Sequence, residues 1–321
     1  MSTITIDILP GIARLKKKGA PLVALETAVL SFGLPFPTNV EVFEAMEAGV
    51  REGGAVPAAI AIADGRVRVG LPDEFLDLLA TRGRSSTSRP RRAKAPRHPG
   101  FSVEKAARRD IGRTLANRSA GATTVSATLA LARCAGIDVA ATGGIGGVHV
   151  TGDGPPDVSA DLTTLADTSV LLVSSGVKSV CDAVATGEIL ETLSVPVVGF
   201  RTDRFPHFYG GPSALLIPRI ETPEEAASLF THHRQVGSSS AVLVGNPVPP
   251  EHQLDPRRLD RLTHEGMKLA AHRGVHGPAL TPFLLDHFAR KTRGKTLHAN
   301  RELLVNNARL AGRIARALAR R

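Results

Sequence analysis

Residues 136–182, GIDVAATGGIGGVHVTGDGPPDVSADLTTLADTSVLLVSSGVKSVCD, decide how the rest of the chain is read. The stretch holds two short apolar runs, 137–141 and 170–173, each of the length of a buried strand. After the first run come Gly143, Gly144, Gly146 and Gly147, then His149, Asp157 and Asp161. After the second come Ser174, Ser175, Gly176 and Lys178. Open α/β sheets bind ligands beyond the carboxyl ends of their strands, so residues just past both runs are candidates for one site.

Outward from this stretch, strand and helix signals alternate. Residues 21–27 read as a strand ending on Glu26, and 31–39 as a Gly/Pro-rich loop. Asn39 is placed to cap a helix running to about Glu52, stopped by Gly53-Gly54. Residues 58–63 and 66–69 flank Asp64-Gly65, a strong hairpin signal. Pro72 opens a short helix, and Gly121 to Val125 opens another that runs to Cys134. Residues 195–200 and 241–244 are further strand-like runs. Thr222-Pro223-Glu224-Glu225 is a capping box, and Asp255-Pro256 and Thr281-Pro282 repeat its cap-then-Pro signature. From Ala299 onward the chain reads as one long helix with Asn306-Asn307 in its middle. The alternation argues an α/β fold around a mixed, largely parallel sheet, with one domain over 1–321.

The 321 residues suffice for a substantial core, and with no Trp and one Tyr that core is built from Ala, Val, Leu and Ile. The net charge of +10 is local. Arg82, Arg84, Arg89, Arg91, Arg92, Lys94 and Arg97 fall in one acid-free stretch, and Arg309, Arg313, Arg316, Arg320 and Arg321 in another. Without them the body is close to neutral, so the charge argues weakly for nucleic acid. The Ser/Pro/Arg-rich insert 82–100 has too little apolar surface to order itself and reads as a mobile loop. Cys134 and Cys181 sit in apolar helix-like surroundings and are expected as buried, reduced thiols. No secretory signal or run of roughly 18 apolar residues is visible, so a soluble cytoplasmic protein is expected.

Several residues carry possible chemistry. GG-x-GG is neither a dinucleotide fingerprint nor a P-loop, but consecutive glycines let backbone N–H groups approach an anion; a ligand-free tight turn is the bland alternative. Asp157 and Asp161 are four apart and on a helix would share a face, which suits Mg²⁺ or Mn²⁺; a solvated acidic turn fits the spacing equally. His149 can ligate or bind substrate, or be structural. Lys178 starts at the mouth of a buried strand, where poor hydration makes an amine a usable nucleophile toward a sugar carbonyl. Glu26, ending another strand, supplies a possible acid or base.

The segments VALETAVLSFGLPFPTN, GAVPAAIAIADGRVRVGL, GATTVSATLALARCAGI, ATGGIGGVH, DVSADLTTLA, SSGVKSVCD, PVVGFRTDRFPHFY, LVGNPVP and NRELLVNNARLA resemble the pseudouridine-5′-phosphate glycosidase family, which includes the indigoidine-cluster A proteins. The resemblance runs over nearly the whole length. It implies a mixed-sheet α/β/α fold, a homotrimer, and reversible cleavage of pseudouridine 5′-phosphate to uracil and ribose 5-phosphate. It implies Lys178 as nucleophile through a lysine–sugar imine and Glu26 as proton donor and acceptor. It implies Asp157 as ligand of a divalent metal, Mn²⁺ or Mg²⁺. Lys105, Val125, Ser159, Ala160 and Asp161 fall where the family contacts substrate, with Lys105 a phosphate partner; His149 and Asn300 fall on the sugar phosphate or the base. The chemistry agrees: a C–C glycosidic bond offers no leaving heteroatom, and an imine makes C1′ an electron sink.

Three positions depart from the family pattern: Thr27 follows the glutamate where Ser is usual, Phe32 stands where His is frequent, and Val150 follows the motif histidine where Arg is common. The alternatives are the same fold acting on another C-nucleotide or sugar phosphate, and, from a different class, a nucleic-acid-binding protein using the two basic segments.

Overall fold

The structure, a computed structural model, describes residues 4–81, 102–149, 157–275 and 280–320. The basic insert 82–100 and Val150 lie outside the described residues. The chain divides into two compact units. The first comprises Met1–Ala141, Thr168–Val170 and Ala308–Arg321, the second Thr142–Asp167 and Leu171–Asn307. Both are α/β, with mixed, mostly parallel strands and helices on both sides.

In the first unit the elements run β1 (Ile6–Ile8), α1 (Pro10–Lys17), β2 (Leu22–Glu26), α2 (Thr38–Glu52), β3 (Val56–Ala63), β4 (Arg66–Val69), α3 (Asp73–Thr81), β5 (Val103–Ala106), α4 (Ile111–Ala116), β6 (Ala120–Thr123), α5 (Val125–Cys134) and β7 (Val139–Ala141). The strand order is β1-β4-β3-β2-β7. All five residues of β2 are buried, as the apolar run LVALE requires of a strand covered on both faces. Helix α2 buries Val42, Phe43, Met46 and Val50, a helical stripe. The β3–β4 hairpin turns through Asp64 (φ 55°) and Gly65 (φ 74°), the doubly positive turn that Asp-Gly predicts.

One junction matters for the site. Parallel β2 runs beside the first half of β3 and ends at Glu26 opposite Ile60. Antiparallel β6 takes over beside β3 at Ala61 and Ile62. The carboxyl ends of β2 and β6 therefore meet at Ile60.

Residues 120–123 form strand β6, where only a helix opening was expected from Gly121 on; AGAT has low strand propensity, and pairing to β3 and β5 overrides it. Asn39 does not cap α2, which starts at Thr38. Its Nδ2 instead donates to Leu30 O at 2.6 Å and Ala80 O at 3.0 Å, a buried tie between a π-helical turn (Val29–Gly33) and α3.

The second unit runs β8 (Val148–His149), α6 (Ala160–Asp167), β9 (Leu171–Ser174), β10 (Cys181–Asp182), α7 (Ala183–Thr192), β11 (Val197–Phe200), β12 (Arg204–Pro206), β13 (Pro212–Leu216), β14 (Arg219–Ile220), α8 (Pro223–Gln235), β15 (Val242–Gly245), α9 (Pro256–His272) and α10 (Leu280–Lys291). Its sheet, β9-β15-β11-β14, is all parallel, with Val173, Val244 and Val198 in one row. Short antiparallel pairs, β8–β10 and β12–β13, stand apart from it. Thr222 Oγ1 accepts from Glu225 N at 3.2 Å and Asp255 Oδ1 from Arg257 N at 3.0 Å, so these two cap-then-Pro signatures start helices, whereas at the third, Thr281-Pro282, α10 is already helical at Leu280.

The last helix, α11 (Lys295–Ala319), contributes its residues through Asn307 to the second unit and from Ala308 to the first. Within the first unit it touches α2 backbone to backbone. A Cβ on Gly53 would lie 2.6 Å from Arg309 O and 2.7 Å from Gly312 Cα, so only glycine admits the approach.

Cys181 is buried as expected, but Cys134 is exposed at the end of α5, and neither is in a disulfide. Among the described residues no helix is long and apolar enough to cross a membrane.

Candidate active site

In the second unit the glycine turn and the segment after β9 form a short ladder. Ser175 N donates to Gly143 O at 2.8 Å, Ile145 N to Gly176 O at 3.0 Å, and Lys178 N to Ile145 O at 3.0 Å. Lys178 is thereby fixed just beyond a strand whose four residues are all buried. A further turn, Cys181 N to Lys178 O at 2.9 Å, closes behind it. His207 supports that turn, its Nε2 lying 3.0 Å from Cys181 O. Burial pulls the His207 imidazole below its ordinary range, and the bond to Cys181 opposes the shift, so Nε2–H donates to that carbonyl from a neutral ring.

The acidic residues do not share a helix face. Asp157 precedes α6 in extended chain, where Val158 bridges Val148; only Asp161 is helical. Asp161 is buried, and its Oδ2 accepts from Gly146 N at 2.8 Å. The glycine turn thus does bind an anion, one supplied by the protein itself. A Cβ on Gly146 would lie 2.3 Å from Ser159 Oγ and 3.2 Å from Asp161 Oδ2, which explains glycine there. Ser159 joins the two pieces, its N–H donating to Gly147 O at 3.0 Å and its Oγ accepting from Asp161 N at 3.2 Å. Ala160, half-buried, opens α6.

His149 lies in β8 opposite Cys181 of β10. Its N–H donates to Asp157 O at 2.9 Å, and its Nδ1 stands 3.6 Å from Asp157 Oδ2. The electrostatics of Cys181 register the same grouping: burial pushes its thiol up to about 11, a hydrogen bond with the Gly147 backbone and the Lys178 charge oppose this, and Asp161 and Asp157 reinforce it. Lys178, Asp157, Asp161 and His149 are therefore brought together around Cys181. Asn300 is buried on α11, and among the described residues no hydrogen bond ties it to this cluster.

His149 Nδ1 is buried without a hydrogen bond, and beside it the Asp157 side chain is 46% exposed. One hard oxygen donor open to water and one orphaned nitrogen fit a cation that keeps most of its water shell. Among the described residues no cluster of three His, Cys, Asp or Glu forms a closed cage.

In the first unit Glu26 is 6% exposed at the β2–β6 junction. Thr27 Oγ1 donates to Ile60 O at 2.7 Å and accepts from Thr123 N at 3.0 Å. Thr123 Oγ1 donates to the same carbonyl at 2.6 Å and accepts from Thr128 Oγ1 at 2.9 Å. The Thr27 hydroxyl is thus fully used. Val125 follows as the buried first residue of α5, so it offers main chain at a helix N-terminus. Lys105, exposed on β5, pairs with Ala122 of β6. Glu26, Lys105 and Val125 are so gathered around one strand junction.

Three neighbours of the candidate residues escaped the sequence reading: the threonine cluster, His207, and the orphaned, buried Ser179 Oγ beside Lys178. A residue next to a site lysine was the only available signal, and only for Ser179. A cavity of about 520 Å³ also lies in the first unit, lined by β1, Arg68, Leu71, Pro72 and Phe75. It holds none of the expected site residues, and its charges pair with one another, Arg68 to Asp7 at 2.7 Å and to Asp64 at 3.3 Å.

The sequence matches the family described as indigoidine synthase A like protein over residues 11–317. It is 44% identical over 301 residues to a protein of Herpetosiphon aurantiacus named pseudouridine-5′-phosphate glycosidase, covering 94% of this chain and 93% of that one. It is 43% identical over 318 residues to a protein of the same name from Symbiobacterium thermophilum, covering 98% and 97%. A solved indigoidine synthase A-like protein from Thermotoga maritima superposes with TM-score 0.85 at 36% identity, covering 99% of this chain and 98% of that one. The prealnumycin C-glycosynthase solved with ribulose 5-phosphate also superposes with TM-score 0.85, at 34% identity, covering 98% and 97%.

Proposed function

The chain belongs to the indigoidine synthase A like family, and from that premise we propose that it reversibly splits the C–C glycosidic bond of pseudouridine 5′-phosphate into uracil and ribose 5-phosphate. The relatives' names and the sugar phosphate bound to the C-glycosynthase support an enzyme of C-glycosides acting on a small sugar phosphate. The observation that carries the reading is the anchorage of Lys178, bonded through its N–H to Ile145 O at 3.0 Å directly beyond buried β9.

The neutral Lys178 Nζ bonds to C1′ while the C1′–O4′ bond breaks and Glu26 gives O4′ a proton. Glu26, now a carboxylate, takes a proton from the attached nitrogen, whose lone pair then forms C1′=N as the C1′–C5 bond breaks and Glu26 returns that proton to uracil C5. Water adds to the imine, the amine departs, and ribose 5-phosphate is left as the aldehyde. Glu26 moves the protons at O4′ and at the leaving carbon. Lys105 and the α5 N-terminus at Val125 are assigned to phosphate, and Ser159, Ala160, Asp161, His149 and Asn300 to the sugar and base. A Mn²⁺ or Mg²⁺ ion, held through Asp157 with His149 beside it, would supply positive charge toward substrate oxygens. The working form is taken to be a cytoplasmic homotrimer, which light scattering of the purified protein tests for size.

Incubation of purified protein with pseudouridine 5′-phosphate and Mn²⁺ should release uracil, and Lys178→Ala should release none. Borohydride added with ribose 5-phosphate should leave a sugar adduct on Lys178. An adduct on any other lysine contradicts the assigned nucleophile. A second reading, favoured by the C-glycosynthase likeness, keeps the site and changes the sugar phosphate; turnover of another C-nucleotide with none of pseudouridine 5′-phosphate would select it.

A further inference from the structure

Asn307, from the Asn-Asn pair in the middle of α11, is completely buried and takes no part in the steps above. Its Nδ2 donates to Thr142 O at 2.8 Å, and Gly143 O and Ser175 Oγ stand within reach at 3.3 and 3.1 Å. Its Oδ1 accepts from Asn246 Nδ2 at 2.9 Å. Asn246 in turn donates its N–H to Ser174 O at 2.8 Å. One side chain thus holds the ends of three segments: the start of the glycine turn, the exit of β9 and the exit of β15.

These contacts fall where the ladder that carries Lys178 leaves β9, one step beyond the bond from Thr142 N to Val173 O at 3.0 Å. Gly143 O, touched by Asn307, is the acceptor of Ser175 N; the next two rungs lead through Gly176 and Ile145 to the Lys178 N–H. Beyond the bond from Thr142 N to Val173 O at 3.0 Å the ladder has these three rungs, and the turn supplying one side is rich in glycine, which is costly to order. Without a clamp at its head, such a ladder slips or frays before any sheet hydrogen bond is lost. We propose that Asn307 is a positioning residue for Lys178, setting the register of the glycine turn against the segment 174–178. The inference rests on the assignment of Lys178 as nucleophile, and it deepens that assignment.

The test uses Asn307→Ala, Asn307→Ser, Ser175→Ala and the Asn307→Ala/Ser175→Ala double variant in the full chain, with two readouts. The first is turnover of pseudouridine 5′-phosphate with Mn²⁺. A misplacement of the amine should lower kcat about 100-fold with KM little changed. Ser175→Ala should lower it less, and the double variant should be no worse than Asn307→Ala, because both act through one rung. The second is amide hydrogen exchange, which needs no activity. Protection should fall at Ser175, Ile145 and Lys178 while Leu243 in β15 keeps its own. Asn307→Ser, which retains a hydroxyl, should partly restore both. Unchanged ladder protection in a folded Asn307→Ala protein overturns the inference, as does parental kcat. Loss of protection throughout the second unit also overturns it, since the residue is then merely structural. An inert parent defeats the proposed function alone, and the exchange result still decides the role of Asn307.

Discussion

The Asp161 carboxylate holds the Gly146 amide at 2.8 Å, filling with the protein's own charge the anion cradle that the glycine turn creates. Removing the carboxylate by Asp161→Ala leaves a buried N–H without its partner, which costs about 1–3 kcal/mol. Asp161→Asn keeps an acceptor of the same shape and should lose less. Urea denaturation of the two variants measures the difference, and equal stability would show that the bond contributes nothing.

Gly146→Ala should be harmful for a steric reason that a second substitution relieves. The new Cβ would meet Ser159 Oγ at 2.3 Å and Ser159 Cβ at 2.6 Å. Overpacking of this kind costs about 1–3 kcal/mol. Gly146→Ala combined with Ser159→Gly should recover part of the lost stability. Thermal unfolding of both proteins checks it; a double variant worse than the sum of the singles would place the strain elsewhere.

The threonine after the glutamate has a definite task. Thr27→Val removes the donor to Ile60 O and leaves the buried Thr123 N–H unbonded, at a cost of about 1–3 kcal/mol. Thr27→Ser keeps the hydroxyl and should stay within about 1 kcal/mol of the parent, losing only a methyl group. Because the junction presents Glu26, Thr27→Val should also depress uracil release more than Thr27→Ser.

His207 should make stability depend on pH in one direction. Burial lowers its folded value below the ordinary histidine value, despite the Cys181 carbonyl and the Asp260 and Asp182 charges that oppose the shift. A depressed imidazole is proton-poor in the native state, so the unfolded chain binds more protons once pH drops below about 6.5. The contribution of His207 is whole above that pH and declines as pH falls from there toward the folded value. His207→Gln keeps a donor for Cys181 O and should flatten the decline. A pH series of denaturation midpoints, parent against variant, reads it; parallel curves would exclude the residue.

Much of this architecture could be read from pattern alone. The runs that became β2, β3, β9 and β15 are apolar enough that burial leaves them no other state, and Asp64-Gly65 and Thr222-Pro223 act through local geometry. What escaped depends on partners distant in sequence. Strand β6 is made of Ala, Gly and Thr and exists because β3 and β5 flank it. Asn39 looked like a cap, yet it serves Leu30 and Ala80. Asp157 and Asp161 have helical spacing, but α6 begins between them. Among the candidate residues, Lys178 and Glu26 were visible as polar residues ending apolar runs. Asn307 and His207 were not, because a hydrogen bond spanning 165 residues, or 26, leaves no local trace.

The contact of Gly53 with Gly312 has a consequence for biosynthesis. The unit assembled from the earliest residues includes Ala308–Arg321, so a ribosome has made Glu26, β3 and the whole threonine cluster long before the helix that seals α2 emerges. Until then the backbone at Val50 and Gly53 lacks its contact with Gly312, and a message cut short before Ala308 yields a chain without that seal.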